Sequence, residues 1–318
     1  MNKQSKSRVL YPFADHAYTE IPQKARLLRR FPGWVWAILS IVIIVALIII
    51  TQGASLIIAL IPILAIGEKL SGDWLLYFSL YGLIATFPIV VIWVKFVENR
   101  PLSTMGVTKT RFVPRYARGF LFGILSVAVS VGIATLLGGY EIESIAPAFK
   151  SASALGFAAF FLFGFIIQGA SEEFVSRGWH LSAVTARSGV VVAILINALF
   201  FGVMHLGNIE QINWLAIFNL VLFGVFISFY ALTEQSLAGV CGLHSSWNWF
   251  LGTGIGLEVS GFKLPGEPWL VDLNPIGSDL LTGGAFGPEG SIIETVILSV
   301  LSVYTYTLYR KRKRQYRA

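Results

Sequence analysis

Long runs of apolar residues are the feature that most constrains this chain. Runs of 18 or more apolar residues recur along the sequence. At about 1.5 Å of rise per residue, each run can cross a hydrocarbon core of roughly 30 Å as a helix. With a charged fraction of 13% and a mean hydropathy of +0.72, the chain has too few charged side chains to cover a soluble globule. The sequence therefore predicts an all-α, polytopic transmembrane helical bundle.

The apolar runs divide into eight predicted spans. These are residues 34–52, 73–95, 117–138, 153–186, 189–206, 213–232, 236–254 and 291–309. The predicted transmembrane domain, residues 34–309, lies between a basic N-terminal tail (1–33) and a basic C-terminal tail (310–318). Residues 55–66 are apolar but too short to cross alone and contain Pro62. They therefore either continue the first helix with a kink or re-enter the membrane.

The distribution of basic residues predicts the orientation of the bundle. With a cytoplasmic N-terminus, 21 of the 24 lysines and arginines fall on the cytoplasmic side, and the outer loops hold only Lys69, Lys150 and Lys263. The positive-inside rule then places both termini in the cytoplasm of a multi-pass cell-membrane protein. The N-terminal tail has no apolar core followed by a cleavage site, so we expect the first span to direct insertion. The basic C-terminal cluster is typical of a lipid-surface anchor, and we expect no nucleic-acid partner.

One predicted span carries ionisable residues where lipid or protein must surround them. Glu172, Glu173 and Arg177 lie deep in the fourth span. A charge there costs several kcal/mol unless it is paired or solvated, so it indicates function. Glu173 and Arg177 are four residues apart and are expected to pair, whereas Glu172 points about 100° away and is left free for chemistry. A purely structural ion-pair network is the alternative interpretation.

Two further spans carry polar or aromatic residues at helical spacing. Phe201 and His205 are four residues apart in the fifth span, and His244 and Asn248 are four apart in the seventh. Members of each pair share a helix face. A single histidine in a span is more often a packing residue, but two of them, with an asparagine and a carboxylate pair elsewhere, favour a polar site.

A helix-breaking segment lies midway between two of these positions. Residues 187–189 read Arg-Ser-Gly, and they are equidistant from Glu172 and His205. An antiparallel hairpin folded there places Glu172 and His205 at the same height, in the cytoplasmic half of the membrane. His16 and His180 are expected at the surface or at an interface. The single cysteine, Cys241, is expected to be a small packing residue.

Together these segments resemble the CPBP family of intramembrane proteases, which includes the type II CAAX prenyl endopeptidases and bacterial Abi-type proteins. The family signatures EExxxR, FxxxH and HxxxN occur here in order and on separate predicted helices. They are Glu172-Glu173…Arg177, Phe201…His205 and His244…Asn248. The resemblance covers about residues 150–255, which we take as the predicted catalytic core.

The resemblance implies hydrolysis of a peptide bond inside the bilayer, in a peptide or a membrane-anchored protein. It implies that Glu172 is the base that activates water, assisted by His205. It also implies that His244 and Asn248 donate hydrogen bonds to the developing oxyanion.

The resemblance leaves the role of a metal open. Glu172, His205 and His244 would form a chemically reasonable zinc set with an open fourth position. Family members are also described with a metal-free water activated by a glutamate. No HExxH motif is present in the sequence.

Supporting positions and alternative functions complete the interpretation. Glu173, Arg177 and Phe201 are expected to support the catalytic groups. A catalytically idle interaction or immunity factor is one alternative, and a proton-coupled transporter that uses the acids and histidines as a relay is another. The intact motif set disfavours the first, and the lack of internal symmetry disfavours the second. The interpretations of the acidic, outer-facing segment 255–290 are a lid, a substrate-facing loop and a plain connector, and we expect the connector.

Overall fold

A computed structural model describes Leu27 and residues 30–66, 72–147, 152–208 and 213–315. Most of the predicted N-terminal tail, with His16, lies outside the described residues. So do Lys69 and Lys150, which contributed to the predicted orientation.

The described chain is a bundle of helices with one small sheet. The helices are α1 (Gly33–Ile66), α2 (Gly72–Gly82), α3 (Thr86–Ile92), α4 (Phe112–Leu136), α5 (Ala152–Glu173), α6 (Leu181–Ser188), α7 (Val190–Met204), α8 (Trp214–Glu234), α9 (Ala238–Trp249), α10 (Asp279–Thr282) and α11 (Ile292–Gln315). Turns of π-helix continue three of them, at Trp93–Val97 after α3, Phe174–His180 between α5 and α6, and Phe250–Gly254 after α9.

The helices confirm an all-α polytopic membrane protein. Six helical segments in the described ranges are long and apolar enough to cross a membrane: Gly33–Ala65, Tyr77–Val97, Phe112–Leu136, Leu155–Ser188, Trp214–Glu234 and Ile292–Arg314. The helix α7 is apolar but shorter, and α9 has only 12 residues. Residues 238–248 of α9 are all buried by the other helices, so their polarity meets protein rather than lipid. The count of eight spans and the orientation of the termini stay predictions.

Two local expectations can be compared directly with the helices. Residues 55–66 are part of α1, which runs without a break to Ile66 and contains Pro62. The predicted turn after Arg187 is present, because α6 ends at Ser188 and α7 begins at Val190. Gly189 joins them at φ +86°, a conformation that glycine adopts without strain.

The helix α9 packs closely against α4, and glycines permit this approach. A Cβ on Gly119 of α4 would lie 1.9 Å from the carbonyl oxygen of Gly239, and one on Gly242 would lie 2.2 Å from that of Tyr116. Small residues at such crossings let helix backbones approach in a membrane. Cys241 is buried in α9, which confirms its expected role as a packing residue.

A two-stranded antiparallel sheet lies outside the helices and was not predicted. Strand β1 (Tyr140–Ile145) follows α4, and strand β2 (Val271–Pro275) lies in the 255–290 segment. Tyr140 pairs with Pro275 at one end of the ladder. This sheet ties the segment to the end of α4.

Candidate active site

The two adjacent acids at the end of α5 have different environments. The Glu172 side chain is 34% exposed and lines a cavity, whereas Glu173 is completely buried. Glu173 Oε1 lies 3.2 Å from Arg177 Nη1, which is the predicted pair. The same oxygen accepts a hydrogen bond from His244 Nδ1 at 2.8 Å. Glu173 therefore joins α5 to α9, a contact between helices that the sequence did not reveal.

Arg177 and Phe201 form the layer behind the cavity. Arg177 is completely buried, and the carbon of its guanidinium lies 4.4 Å from the centre of the Phe201 ring. A cation on an aromatic face is attracted by the ring quadrupole. The Phe201 ring also lies 4.8 Å from the ring of His205. The expected supporting residues therefore contact the groups that they were expected to support.

Hydrogen bonds place a proton on Nδ1 of each site histidine. His205 Nδ1 lies 2.8 Å from the Phe201 carbonyl oxygen. Because a carbonyl oxygen only accepts, Nδ1 of His205 carries the proton and Nε2 of the neutral ring is an acceptor. His244 Nδ1 likewise faces Glu173, and its Nε2 lies 3.9 Å from Glu172 Oε2.

A glutamine that the sequence interpretation missed connects two of the expected catalytic residues. Gln168 Nε2 donates to Glu172 Oε1 at 2.6 Å, and Asn248 Nδ2 donates to Gln168 Oε1 at 3.0 Å. Gln168 precedes Glu172 by one helical turn, so a polar residue four positions upstream on the same face was the available signal.

The expected catalytic residues line one cavity of about 370 Å³. Its wall includes Glu172, His205, His244 and Asn248, together with residues of α1 and of the 255–290 segment. The expectation that residues 255–290 are only a connector is therefore wrong. Val259, Ser260, Phe262, Leu264 and Glu289 of this segment form part of the wall.

The site lies beside the middle of two long helices. The His244 ring packs edge-to-face on Phe223 at 5.6 Å between centres, and Phe223 is residue 10 of the 21 in α8. The side chain of Ser246 and the backbone of Leu243 lie against Gly123, which is residue 12 of the 25 in α4. These neighbours put the site beside the middle of α4 and α8, and its location in the cytoplasmic half of the membrane stays a prediction.

Glu289, which follows β2 in the chain, is a buried acid that the sequence interpretation did not identify. Its Oε2 accepts hydrogen bonds from the amide and the hydroxyl of Ser260, at 2.6 and 2.9 Å. Its Oε1 accepts from Trp247 Nε1 at 3.2 Å. Burial raises the pKa of the Glu289 carboxyl, and the hydrogen bonds from Ser260 oppose that rise. No spacing pattern in the sequence distinguishes this acid from the exposed acids of the loops.

The expected zinc set is not assembled as a ligand set. Within the described ranges, no group of three His, Cys, Asp or Glu side chains is arranged to hold a metal ion. Glu172, His205 and His244 line the same cavity as separate side chains rather than as one ligand set.

His180 corrects another expectation, because it is buried rather than at the surface. Its Nε2 lies 3.2 Å from Ser40 Oγ and its Nδ1 lies 3.0 Å from Asn197 Nδ2. Both ring nitrogens therefore have protein partners, as in a packing histidine.

Comparison with known proteins identifies one region. Residues 154–250 match the family model described as type II CAAX prenyl endopeptidase Rce1-like. No curated protein and no solved structure matches the chain. The matched region includes every motif residue from Glu172 to Asn248 and ends before the 255–290 segment.

Proposed function

We propose, on the match of residues 154–250 to the Rce1-like family model, that this chain is an intramembrane endopeptidase of the CPBP family of CAAX-type proteases. Glu172 is the general base that activates water, with assistance from His205. His244 and Asn248 donate hydrogen bonds to the oxyanion. Glu173, Arg177 and Phe201 hold these groups in place.

One observation carries the proposal. Glu172 is the motif acid that faces the cavity, and His205 and His244 line the same cavity. Glu173 is completely buried behind it and bonded to Arg177 and His244. A base must reach water and substrate, whereas a positioning acid must be held by its partners. The two adjacent glutamates meet these two requirements separately.

The chemistry follows from these positions. Glu172 takes a proton from water while the oxygen of that water attacks the carbonyl carbon of the peptide. His205 Nε2, free of its own proton, accepts a hydrogen bond from the same water. The amine then leaves with the proton that Glu172 carried, so atoms and charge balance.

Stabilisation of the oxyanion needs N–H groups that can donate a further hydrogen bond when substrate is bound. Asn248 Nδ2 carries two hydrogens, and within the described residues one of them is donated, to Gln168 Oε1. His244 donates from Nε2 when its ring carries both protons, a charge that the Glu173 carboxylate at 2.8 Å stabilises. Loss of one oxyanion donor typically lowers the rate about 10²- to 10³-fold.

The test is cleavage by purified protein of a quenched fluorescent peptide with a prenylated CAAX tail, beside a single-span membrane peptide. We expect Glu172→Ala and His205→Ala each to lower kcat at least about 10²-fold. Glu143→Gln, on the exposed side of β1, is the matched control and is expected to cleave like the parent. Cleavage by both site variants at the parental rate would refute the assignment.

A chelation experiment addresses the metal. Activity that survives thorough chelation, in protein without zinc by elemental analysis, would support the water activated by Glu172 alone. If the parent cleaves neither peptide but carries protons in vesicles, and Glu172→Ala abolishes that flux, the relay function replaces the protease.

A further inference from the structure

Glu289 links a loop to the catalytic helix through three hydrogen bonds. It lies on the turn Pro288–Gly290, outside the family match, and is 8% exposed. One carboxyl oxygen accepts both donors of Ser260, and the other accepts the indole N–H of Trp247. Trp247 lies on α9 between His244 and Asn248.

The loop that Glu289 holds is a tight turn, Val259–Phe262. The amides of Val259 and Phe262 each donate to the other's carbonyl oxygen at 2.9 Å. Ser260 and Gly261 between them have φ angles of +48° and +88°. Two positive φ values define the tightest class of hairpin turn, and serine adopts such a φ only when contacts hold it there. The two hydrogen bonds from Ser260 to Glu289 stabilise this conformation.

This turn is also part of the cavity wall. Val259, Ser260 and Phe262 line the space that contains the expected catalytic residues, and Glu289 lines it too. On the far side of Glu289, the Trp247 ring packs against Phe223 at 5.4 Å between centres. Phe223 in turn packs against His244. Glu289 therefore joins a loop to α9, the helix that carries the motif residues His244 and Asn248.

We propose that Glu289 is a positioning residue of the active site: its carboxylate holds the Val259–Phe262 turn against α9, so that the turn forms a fixed wall of the peptide-binding cavity. This inference rests on the proposed protease function and assigns part of its substrate binding to a segment outside the family motifs.

The chemistry of the contact requires an acid. A carboxylate offers only acceptors, and here it faces three donors. A glutamine keeps one acceptor oxygen for Ser260 but turns an N–H₂ group toward the N–H of Trp247. We therefore expect Glu289→Gln to keep some of the hydrogen bonds with Ser260, and Glu289→Ala to lose all of them.

The experiment measures the stability of the turn and the binding of substrate separately. Hydrogen–deuterium exchange of the parent, Glu289→Ala and Glu289→Gln follows the amides of residues 257–264, and steady-state cleavage of the prenylated CAAX peptide gives KM and kcat. The control is Glu294→Gln, because Glu294 is also a buried acid and accepts a hydrogen bond from Ser130 Oγ, but it is not among the residues that line the cavity.

In Glu289→Ala we expect exchange at 257–264 to be about tenfold faster and KM to rise about five- to tenfold, from the loss of up to three hydrogen bonds. Changes in kcat should stay within about twofold, since the groups that touch the reacting atoms are intact. Glu289→Gln should fall between, and Glu294→Gln should match the parent. If Glu289→Ala does not fold, Glu289→Gln and Ser260→Ala supply the same comparison.

Unchanged exchange at 257–264 would overturn the proposal, and so would faster exchange with an unchanged KM. A fall in kcat alone would overturn it as well, because Glu289 would then act on the chemistry. If the parent cleaves no peptide, the proposed function fails, whereas the exchange result still decides whether Glu289 holds the turn.

Discussion

Removal of Arg177 tests the charge arrangement on which the site depends. Arg177 and Glu173 are both completely buried and form an ion pair at 3.2 Å. Arg177→Ala leaves the Glu173 carboxylate in the interior with His244 as its remaining hydrogen-bond partner among the described residues. Glu172→Ala removes a carboxylate that is 34% exposed and bonded to Gln168. Arg177→Ala therefore leaves a buried carboxylate without its ion-pair partner, whereas Glu172→Ala does not.

The expected difference in stability is large. Breaking a buried ion pair by removal of one partner costs about 3–5 kcal/mol. Loss of the contact between the Arg177 guanidinium and the Phe201 ring adds about 1–2 kcal/mol. Loss of the hydrogen bond between Gln168 and Glu172 costs about 1 kcal/mol. The free energy of unfolding should therefore fall at least about 3 kcal/mol further in Arg177→Ala, or roughly 6–12 °C in the melting temperature.

The assay is thermal unfolding of detergent-solubilised protein, followed by tryptophan fluorescence and by recovery of the monodisperse peak. Two further variants test the cause. Arg177→Lys keeps a charge near Glu173 and should be intermediate. The double substitution Arg177→Ala with Glu173→Gln removes the stranded charge and should be more stable than Arg177→Ala alone.

Equal melting temperatures for Arg177→Ala and Glu172→Ala would refute the reasoning. A double variant no more stable than Arg177→Ala would show that lost packing, rather than the charge on Glu173, dominates the cost.

Two further predictions follow from contacts within the helices. Gln168→Ala removes the hydrogen bond that orients Glu172, so kcat should fall about tenfold with KM little changed; an unchanged kcat in steady-state cleavage would mean that Gln168 has no role in the chemistry. Gly119→Ala forces a Cβ against the Gly239 carbonyl and should cost about 1–3 kcal/mol, whereas Gly132→Ala on the same helix meets open space and should be neutral or slightly stabilising. Equal melting temperatures for these two alanine variants would contradict the close packing of α4 on α9.

Features set by local periodicity could be predicted from the sequence. The length of an apolar run determines whether a helix can span a membrane, so five of the six long segments in the described ranges were predicted within about five residues of their ends. The first was predicted to end at residue 52, but its segment continues to Ala65. Gly189 marked the turn after α6 because it can adopt a positive φ. The pairing of Glu173 with Arg177 followed from their spacing of four residues on one helix.

Features set by contacts between distant segments could not be predicted. His244 reaches Glu173 across 71 positions of sequence, and Trp247 reaches Glu289 across 42. Hydropathy assumes that a span meets lipid, but α9 is buried in protein, so the partners of its polar residues depend on how the other helices pack. His180 shows the same limit, since its partners Ser40 and Asn197 lie on two other helices.

The position of the site among the helices determines what the cavity must provide. Leu155–Ser188 has 34 residues, or about 50 Å, and must tilt or protrude beyond a core of roughly 30 Å. A peptide bond that reaches the middle of the bundle leaves water, and each unpaired backbone group there costs several kcal/mol. The cavity wall also carries Thr51, Gln52, Ser79 and Thr86 from the first three helices. We expect an extended substrate to use these side chains as hydrogen-bond partners for its main chain while its scissile bond meets the catalytic groups.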